Sequence, residues 1–347
     1  MWHLPRTEAD WSYELLDRED RPLGALDGVS GGSLEVVALS RLGGSGSLTI
    51  AETGQGIDWM SHRVRITYHP GIHGVPSWPV ATMMLTSPTE RHTPFGVVYE
   101  VGLLPKTRIV DEPKTGLGYS VGAGTPIIAH VVSMLEALGE TRIAVTPSAA
   151  VLASTAVWDP GTSYLTIVND LLTAAGYWSL WCDGSGQFRV EPYRLPGERP
   201  VAFTFAEGAT SIHYPEWVRE QDLASVPNVA RVYREGDDTT PGIEGVAIDT
   251  DPASPFSTVS RGFEVHRAPE SAEVTTVDEA NRLARRRLID AQSPVAKLDV
   301  THAVVPLDPN QVVEFLPEPG VRKLATIQRM SYELIFDGHV RAEWREI

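Results

Sequence analysis

The stretch from Trp158 to Arg194, near the middle of the chain, constrains the fold most because it predicts a helix followed directly by a hairpin. Thr162 follows Asp-Pro-Gly, which interrupts regular secondary structure. Its side chain can cap a helix by accepting a hydrogen bond from an unpaired backbone N–H. Gly176 predicts the helix end, since glycine adopts the left-handed conformation without a Cβ clash. Apolar residues recur at helical spacing between these two points: Leu165, Val168, Leu171, Leu172 and Ala175.

The hairpin of this stretch is predicted from two aromatic and β-branched runs, 177–182 and 187–193. Asp183-Gly184-Ser185-Gly186 between them has the composition of a turn. A second helix is expected near 125–138, with Thr125 as its cap, Pro126 at its first position and Gly139 at its end. Together these elements predict a small α/β domain at 111–198, with helices near 125–138 and 162–175 and a hairpin at 177–193.

The two flanking segments are predicted to be mainly β. Residues 1–110 contain short strands separated by turn residues, which is typical of a sandwich or small barrel: 11–17, 33–39, 47–50, 64–68, 80–86 and 97–103. Residues 199–347 contain a helix near 277–292, opened by a capping box of Thr276 and Glu279. An exposed, mobile loop is expected at 236–257 because it is rich in Asp, Thr, Pro and Gly, and a short strand at 246–248 within it is left open. The remaining runs predict strands: 201–205, 211–214, 228–233, 295–305, 312–316, 321–332 and 334–344.

Composition excludes several classes of protein. The 347 residues carry a formal net charge of −16, which argues against a protein that grips nucleic-acid phosphates. Cys182 is the single cysteine, so an internal disulfide is excluded and a reducing compartment is favoured. No apolar run approaches the roughly 18 residues of a membrane-spanning helix. The first ten residues lack the apolar core of a signal peptide, so none is expected.

No catalytic, cofactor-binding or metal-binding residue is predicted, because the chain lacks zinc-ligand spacing, a phosphate loop and a nucleophile elbow. Some clusters leave alternatives open. Carboxylates could form a catalytic pair or a calcium site, although turns and solvated faces explain them better; these are Glu14, Asp17, Glu19, Asp20, Asp237, Asp238, Asp249 and Asp251. Histidines could hold a metal, although separate turn residues are the favoured interpretation; these are His62, His69, His73 and His92.

Two further residue sets admit two interpretations each. Arginines on the late helix form either a solvated face or salt bridges to an acidic neighbouring subunit; these are Arg282, Arg285, Arg286 and Arg287. The nine tryptophans are many for this length. Most are expected in the core, and any exposed ones at strand ends would suit a protein interface or a sugar-binding platform.

Four stretches, in their order along the chain, resemble the baseplate hub or tail-associated minor tail proteins of long-tailed bacteriophages, particularly those of actinobacterial hosts. The stretches are WSYELLDREDRPLGAL, GTSYLTIVNDLLTAAGYWSLWCDGSGQFRVEP, VPNVARVYRE and VDEANRLARRRLIDAQSPVAKLDVTHAVVP. They cover about a quarter of the chain. The resemblance implies an α+β, mainly β fold: two tube-like β-barrel domains with an inserted small α/β domain and a further small peripheral domain.

The resemblance also implies a function. Such a hub is a homotrimer in the virion tail tip, assembled in the bacterial host cytoplasm, which closes or extends the tail tube and opens for DNA ejection. Its expected partners are the distal tail protein or tail tube above, the tape measure protein, and tip or fibre proteins below, while DNA only passes through the lumen. No enzymatic activity and no peptidase domain after Ile347 are expected. The alternatives are a glycan-binding minor tail protein and, less favoured, a cell-wall hydrolase.

Overall fold

In the computed structural model the described residues are 9–38, 40–209, 211–221, 223–236, 241–272, 276–292 and 296–347, with residues 279 and 290 described by their backbone alone. The chain divides into two compact units. The larger unit contains the described residues up to 218 and those from 299 to 347, and the smaller unit contains those from 219 to 298. None of the described helices has the length and apolar character that crossing a bilayer requires.

The first β region contains the six predicted strands and two more. Its strands are β1 Asp10–Leu16, β2 Pro22–Ala25, β3 Val29–Val37, β4 Gly44–Ala51, β5 Arg63–His69, β6 Trp78–Leu85, β7 Thr89–Thr93 and β8 Gly96–Pro105. The two strands that the sequence did not predict are β2 and β7. Every residue of β2 and four of the five in β7 are exposed, so neither strand has the apolar alternation that marks a half-buried strand.

The α/β region has its own apolar core, built from both predicted helices. Its elements are α1 Arg108–Asp111, β9 Tyr119–Val121, α2 Ile127–Ala137, β10 Ile143–Val145, β11 Ala156–Trp158, α3 Tyr164–Ala174, β12 Trp181–Cys182, β13 Phe188–Val190 and a 3₁₀ turn at Pro196–Glu198. Residues of α2 and α3, including Val131, Leu135 and Val168, are fully buried in this core. The hairpin is confirmed as β12 and β13, and β10 adds a parallel strand to it.

The predicted helix caps are wrong by one residue. Ser163, not Thr162, caps α3, because its side chain accepts a hydrogen bond from the N–H of Thr166. The Thr162 hydroxyl instead donates to the carbonyl of Asp159, 2.8 Å away. At α2 the capping position is Pro126, which has no side-chain acceptor. The predicted helix ends hold, because Gly139 and Gly176 have φ values of 86° and 73°.

The rest of the chain contains the remaining strands and two helices. The elements are β14 Val201–Ala206, β15 His213–Glu220, β16 Val229–Arg234, β17 Ile243–Ile248, α4 Thr258–Arg261, β18 Glu270–Ser271, α5 Val277–Ala291, β19 Lys297–Ala303, β20 Val312–Leu316, β21 Lys323–Glu333 and β22 His339–Glu346. The predicted late helix is confirmed as α5. Its proposed capping box cannot be assessed, since the Glu279 side chain lies outside the described residues.

One sheet runs through both β regions of the larger unit. Its described strands follow the order β15-β19-β22-β21-β3-β4-β8-β6-β5-β1-β2. The joint is the antiparallel pairing of β21 with β3, in which residues 329–333 face residues 33–37. The α+β, mainly β class is therefore confirmed. No sheet among the described strands closes on itself by this pairing order, and the two separate tube-like barrels remain a prediction.

In the smaller unit, the predicted loop at 236–257 contains a strand that is longer than the one left open at 246–248. Strand β17 occupies 243–248 and pairs antiparallel with β16, and α5 packs on the same small sheet. A Cβ at Gly245 would lie 2.2 Å from the backbone of Ala280, so this glycine permits the close approach of helix and strand. Beyond the strand, Asp249 accepts hydrogen bonds from Ser254 and Gln292. Asp237 and Asp238 lie outside the described residues.

Candidate functional site

Three of the carboxylates singled out in the sequence, Glu14, Asp17 and Glu19, take part in ion pairs outside the protein core. Asp17 accepts from Arg21 at 2.6 Å, and Glu14 accepts from Arg65 at 2.9 Å. Hydrogen bonds from Arg21 help to lower the pKa of Asp17, against a desolvation effect that acts to raise it. Asp20 is different, because it is 4% exposed and belongs to a buried cluster.

The predicted histidine positions are spread over separate turns and strand ends. His69 lies within 2.7 Å of Ser12 and Ser77, and His62 accepts from the N–H of Asp58. His73 and His92 are exposed. In the described part of the chain, no three His, Cys, Asp or Glu side chains are grouped so that they could hold a metal ion.

The arginines of α5 divide into two sets. Arg287 is half-buried and binds Glu270 of the same unit, with Nη2 2.7 Å from Oε1. Arg282, Arg285 and Arg286 are exposed. The structure thus assigns a local partner to one of the four, and the proposed contact of the others with a neighbouring subunit remains a prediction.

A closed ring of four buried charges lies where the first β region meets the α/β region; we call it the junction cluster. It consists of Asp20, Arg63, Lys106 and Glu140, each at most 5% exposed. Arg63 donates to Asp20 at 2.6 Å and to Glu140 at 2.7 Å. Lys106 makes the same two contacts at 2.6 and 2.7 Å. Two cations and two anions therefore balance inside the protein, which a buried ionic group requires.

The junction cluster ties the α/β hairpin to the β scaffold. Lys106 also donates a hydrogen bond to the carbonyl of Gly186, at 2.8 Å, and its Nζ lies 5.0 Å from the centre of the Phe188 ring. Asp20 reaches the cluster from a tight turn, with a φ of 61°. The arrangement is a brace between two parts of the larger unit.

The hairpin turn at 183–186 packs directly on strand β6. A Cβ at Gly184 would lie 2.3 Å from the carbonyl oxygen of Pro79, and one at Gly186 would lie 3.1 Å from the Thr82 side chain. Thr82 donates its hydroxyl hydrogen to the carbonyl of Gly184 at 3.0 Å. The sequence predicts these glycines as turn formers, and the structure shows that they also permit close packing of turn and strand.

A central cleft of about 810 Å³ opens beside this junction, between the first β region, the α/β hairpin and the segment before β20. Arg189 in its wall donates to Glu191 at 2.5 Å and lies 3.7 Å from Asp183. Asp308 faces the same space. Burial and the nearby charge of Asp183 raise the pKa of Asp308 to about 6, although Arg189 acts in the opposite direction.

The tryptophans of the cleft do not present a free platform. The Arg199 guanidinium lies 4.8 Å from the centre of the Trp178 ring, and that of Arg189 lies 5.9 Å from Trp181. Tyr193 packs against Trp178, with ring centres 4.5 Å apart. Every tryptophan in the described ranges is buried or half-buried. A sugar that stacked on Trp178 would have to displace an arginine, so the glycan-binding alternative finds no support in this cleft.

The single cysteine offers no activated nucleophile. Burial raises the pKa of the Cys182 thiol, which keeps it in the less reactive protonated form. Its sulfur lies 3.7 Å from the carbonyl oxygen of Asp183. The charges of the junction cluster are likewise paired with one another and shielded from water. The protonated thiol and the paired charges among the described residues of this region therefore suit a structural role.

Sequence analysis missed three members of the junction cluster and found the fourth only as part of an acidic run. The reason is distance along the chain, because Asp20 and Lys106 are 86 positions apart and Arg63 and Glu140 are 77 apart. The one available signal was Lys106 itself, a charged residue directly after an apolar strand in a chain with few lysines.

No protein-family model matches the chain, and no curated protein is similar to it in sequence. Solved structures nevertheless share its fold. A tail protein from Neisseria meningitidis MC58 has a TM-score of 0.66 at 12% identity, covering 97% of this chain and 97% of that one. The 43 kDa tail protein of prophage MuSo2 from Shewanella oneidensis has a TM-score of 0.63 at 13% identity, covering 97% and 98%.

A third similar structure comes from a secretion machine. The E. coli c3393 protein, a type VI secretion component with structural similarity to the T4 tail proteins gp27 and gp5, has a TM-score of 0.51 at 11% identity. The match covers 92% of this chain and 73% of the c3393 chain. These similarities establish the fold, and at this level they confirm the resemblance to phage tail proteins that the sequence indicates.

Proposed function

We propose that this chain is a structural hub protein of a phage tail tip, in which three copies form a ring that closes or extends the tail tube. The observation that carries the proposal is the fold shared with two tail proteins over 97% of the chain. A closed ring requires two different surfaces on each copy that fit one another. Two tube-like β domains per copy would give a trimer six such domains, matching a sixfold tube.

The proposed partners follow from this position in the virion. The distal tail protein or tail tube would lie above the ring, tip or fibre proteins below it, and the end of the tape measure protein nearby. DNA would cross the ring only during ejection. The net charge of −16 supports passage without adhesion, because an acidic wall repels phosphates.

The proposed role is mechanical and not enzymatic. The junction cluster supports this, since a rigid brace between the β scaffold and the α/β region suits a part that transmits force. Its four ionisable groups are paired with one another, so none is left to act as a general acid or base on a substrate.

Two measurements test the proposal. Light scattering and negative-stain images of the purified chain should give three times the single-chain mass and a threefold ring with a central opening. Antibodies against the chain should label virions at the distal end of the tail, while a control antibody against the tube protein labels the whole length. Label absent from virions, or spread along the tail, would refute the tail-tip assignment. Tip label on a particle without threefold symmetry would refute the ring alone.

A further inference from the structure

Two histidines are buried in the core of the second β region of the larger unit. His302 on β19 is 1% exposed and His213 on β15 is 9% exposed. Their Nδ1 atoms lie 2.7 Å from the carbonyl oxygen of Ala303 and 2.8 Å from that of Tyr214. A carbonyl only accepts, so Nδ1 carries the proton in each ring and Nε2 is left as an acceptor. Both Nε2 atoms are buried, with no hydrogen-bond partner among the described residues.

The surroundings of the two rings are aromatic. Phe205 and Trp344 lie 4.7 and 5.8 Å from the His302 ring centre, and Phe315 lies 5.1 Å from that of His213. We call His213, His302, Phe205, Phe315 and Trp344 the histidine cage. The Nε1 of Trp344 is also buried without a partner in the described chain. The cage therefore contains no acceptor already aimed at either imidazole.

The ionisable groups whose charge acts on His302 do not compensate a positive charge on its ring. The side chains whose charge reaches His302 are His213 on β15 and His339 on β22, both of which would repel an imidazolium. Glu314 on β20 binds Arg322 at 2.5 Å and Thr204 at 3.0 Å. Burial is the largest cause of the low pKa of His302, about 4, and the Ala303 carbonyl opposes it.

We infer that the histidine cage is an acid-sensitive latch that holds strand β15 in the sheet. A proton added to the Nε2 of His302 creates a cation and a new N–H donor at a buried atom that has no hydrogen-bond partner among the described residues. Strand β15 is the end strand of the described sheet, next to β19, and its residues 214–216 are exposed. Moving His213 into water therefore disrupts little beyond this edge. The inference stands independently of the proposed tail-tip role.

Hydrogen exchange on the full-length protein tests the latch. Opening that brings His302 into water is linked to a pKa of about 4 in the folded state and an ordinary value of 6.5. We therefore expect protection in 211–218 and 300–305 to fall about 50-fold between about pH 7 and about pH 4.5, after correction for intrinsic exchange. Protection in α3, which belongs to the separate α/β core, should change much less.

Matched variants identify the groups responsible. Asparagine can keep the hydrogen bond to the backbone carbonyl but cannot be protonated, so the double variant H213N/H302N should lose most of the acid effect. H69N, at an exposed histidine of the first β region, should behave as the wild type. Should the double variant not fold, H302F provides a second non-ionisable ring. Unchanged protection in the wild-type protein at low pH, or an undiminished acid effect in the double variant or in H302F, would overturn the latch.

Discussion

Removing the ammonium group of Lys106 should destabilise the larger unit more than almost any other single charge change. Its side chain is 0% exposed, forms ion pairs with Asp20 and Glu140, and donates a hydrogen bond to the Gly186 carbonyl. The variant K106M keeps a long apolar side chain but leaves two carboxylates facing one guanidinium, that of Arg63. The result is one uncompensated buried negative charge and one unsatisfied backbone carbonyl.

The expected cost is about 3–5 kcal/mol of unfolding free energy, the usual loss when one partner of a buried ion pair is removed. The double variant K106M/E140Q restores the balance, because Arg63 and Asp20 remain as a single pair at 2.6 Å. It should therefore cost about 1–3 kcal/mol less than the sum of the two single variants. An additive double variant would mean that the four residues do not act as one cluster.

Urea unfolding followed by tryptophan fluorescence and circular dichroism measures these differences. The matched control is K114M, because Lys114 is exposed and its ammonium donates to the backbone carbonyl of Asp111 at 3.3 Å. That change should stay within about 0.5 kcal/mol. A K106M variant as stable as K114M would refute the description of the junction cluster as a brace.

Three further predictions address the α/β region and the cleft. G184A should lower Tm by several degrees because its Cβ would collide with β6, whereas G197A, with open space around its Cβ, should leave Tm almost unchanged. D308N should raise stability at neutral pH: a carboxyl pKa raised from 3.8 to about 6 makes the folded state lose stability as pH rises through that range, by about 3 kcal/mol in total. Urea unfolding at about pH 4 and about pH 7 should show the wild type and D308N converging at the lower pH. S163A should cost about 0.5–2 kcal/mol as the loss of a helix cap, and T162A clearly less; equal losses in urea unfolding would contradict the assigned cap.

The elements that the sequence predicted correctly are those whose pattern is local. Both α/β helices, their glycine ends and the late helix follow from apolar spacing and from backbone preferences within a few residues. The caps were misplaced by one position, since Thr162 and Ser163 are adjacent and both can cap a helix. Strands β2 and β7 were missed because their side chains are exposed, and β17 was considered only as a short strand at 246–248 within a loop, because glycine and acidic residues flank it.

Composition and local periodicity by themselves determined that this chain is mainly β, contains a mid-chain helix and hairpin, and carries a strongly negative charge. Only the tertiary structure decided that β3 pairs with β21, that the turn at 183–186 packs on β6, and that two histidines share an aromatic cage. The junction cluster belongs to the same group. Its charges are held together by burial and by partners up to 86 positions away. Local sequence preferences cannot predict such distant ion pairs, because the pairs stabilise the protein only when the chain has folded and water is excluded.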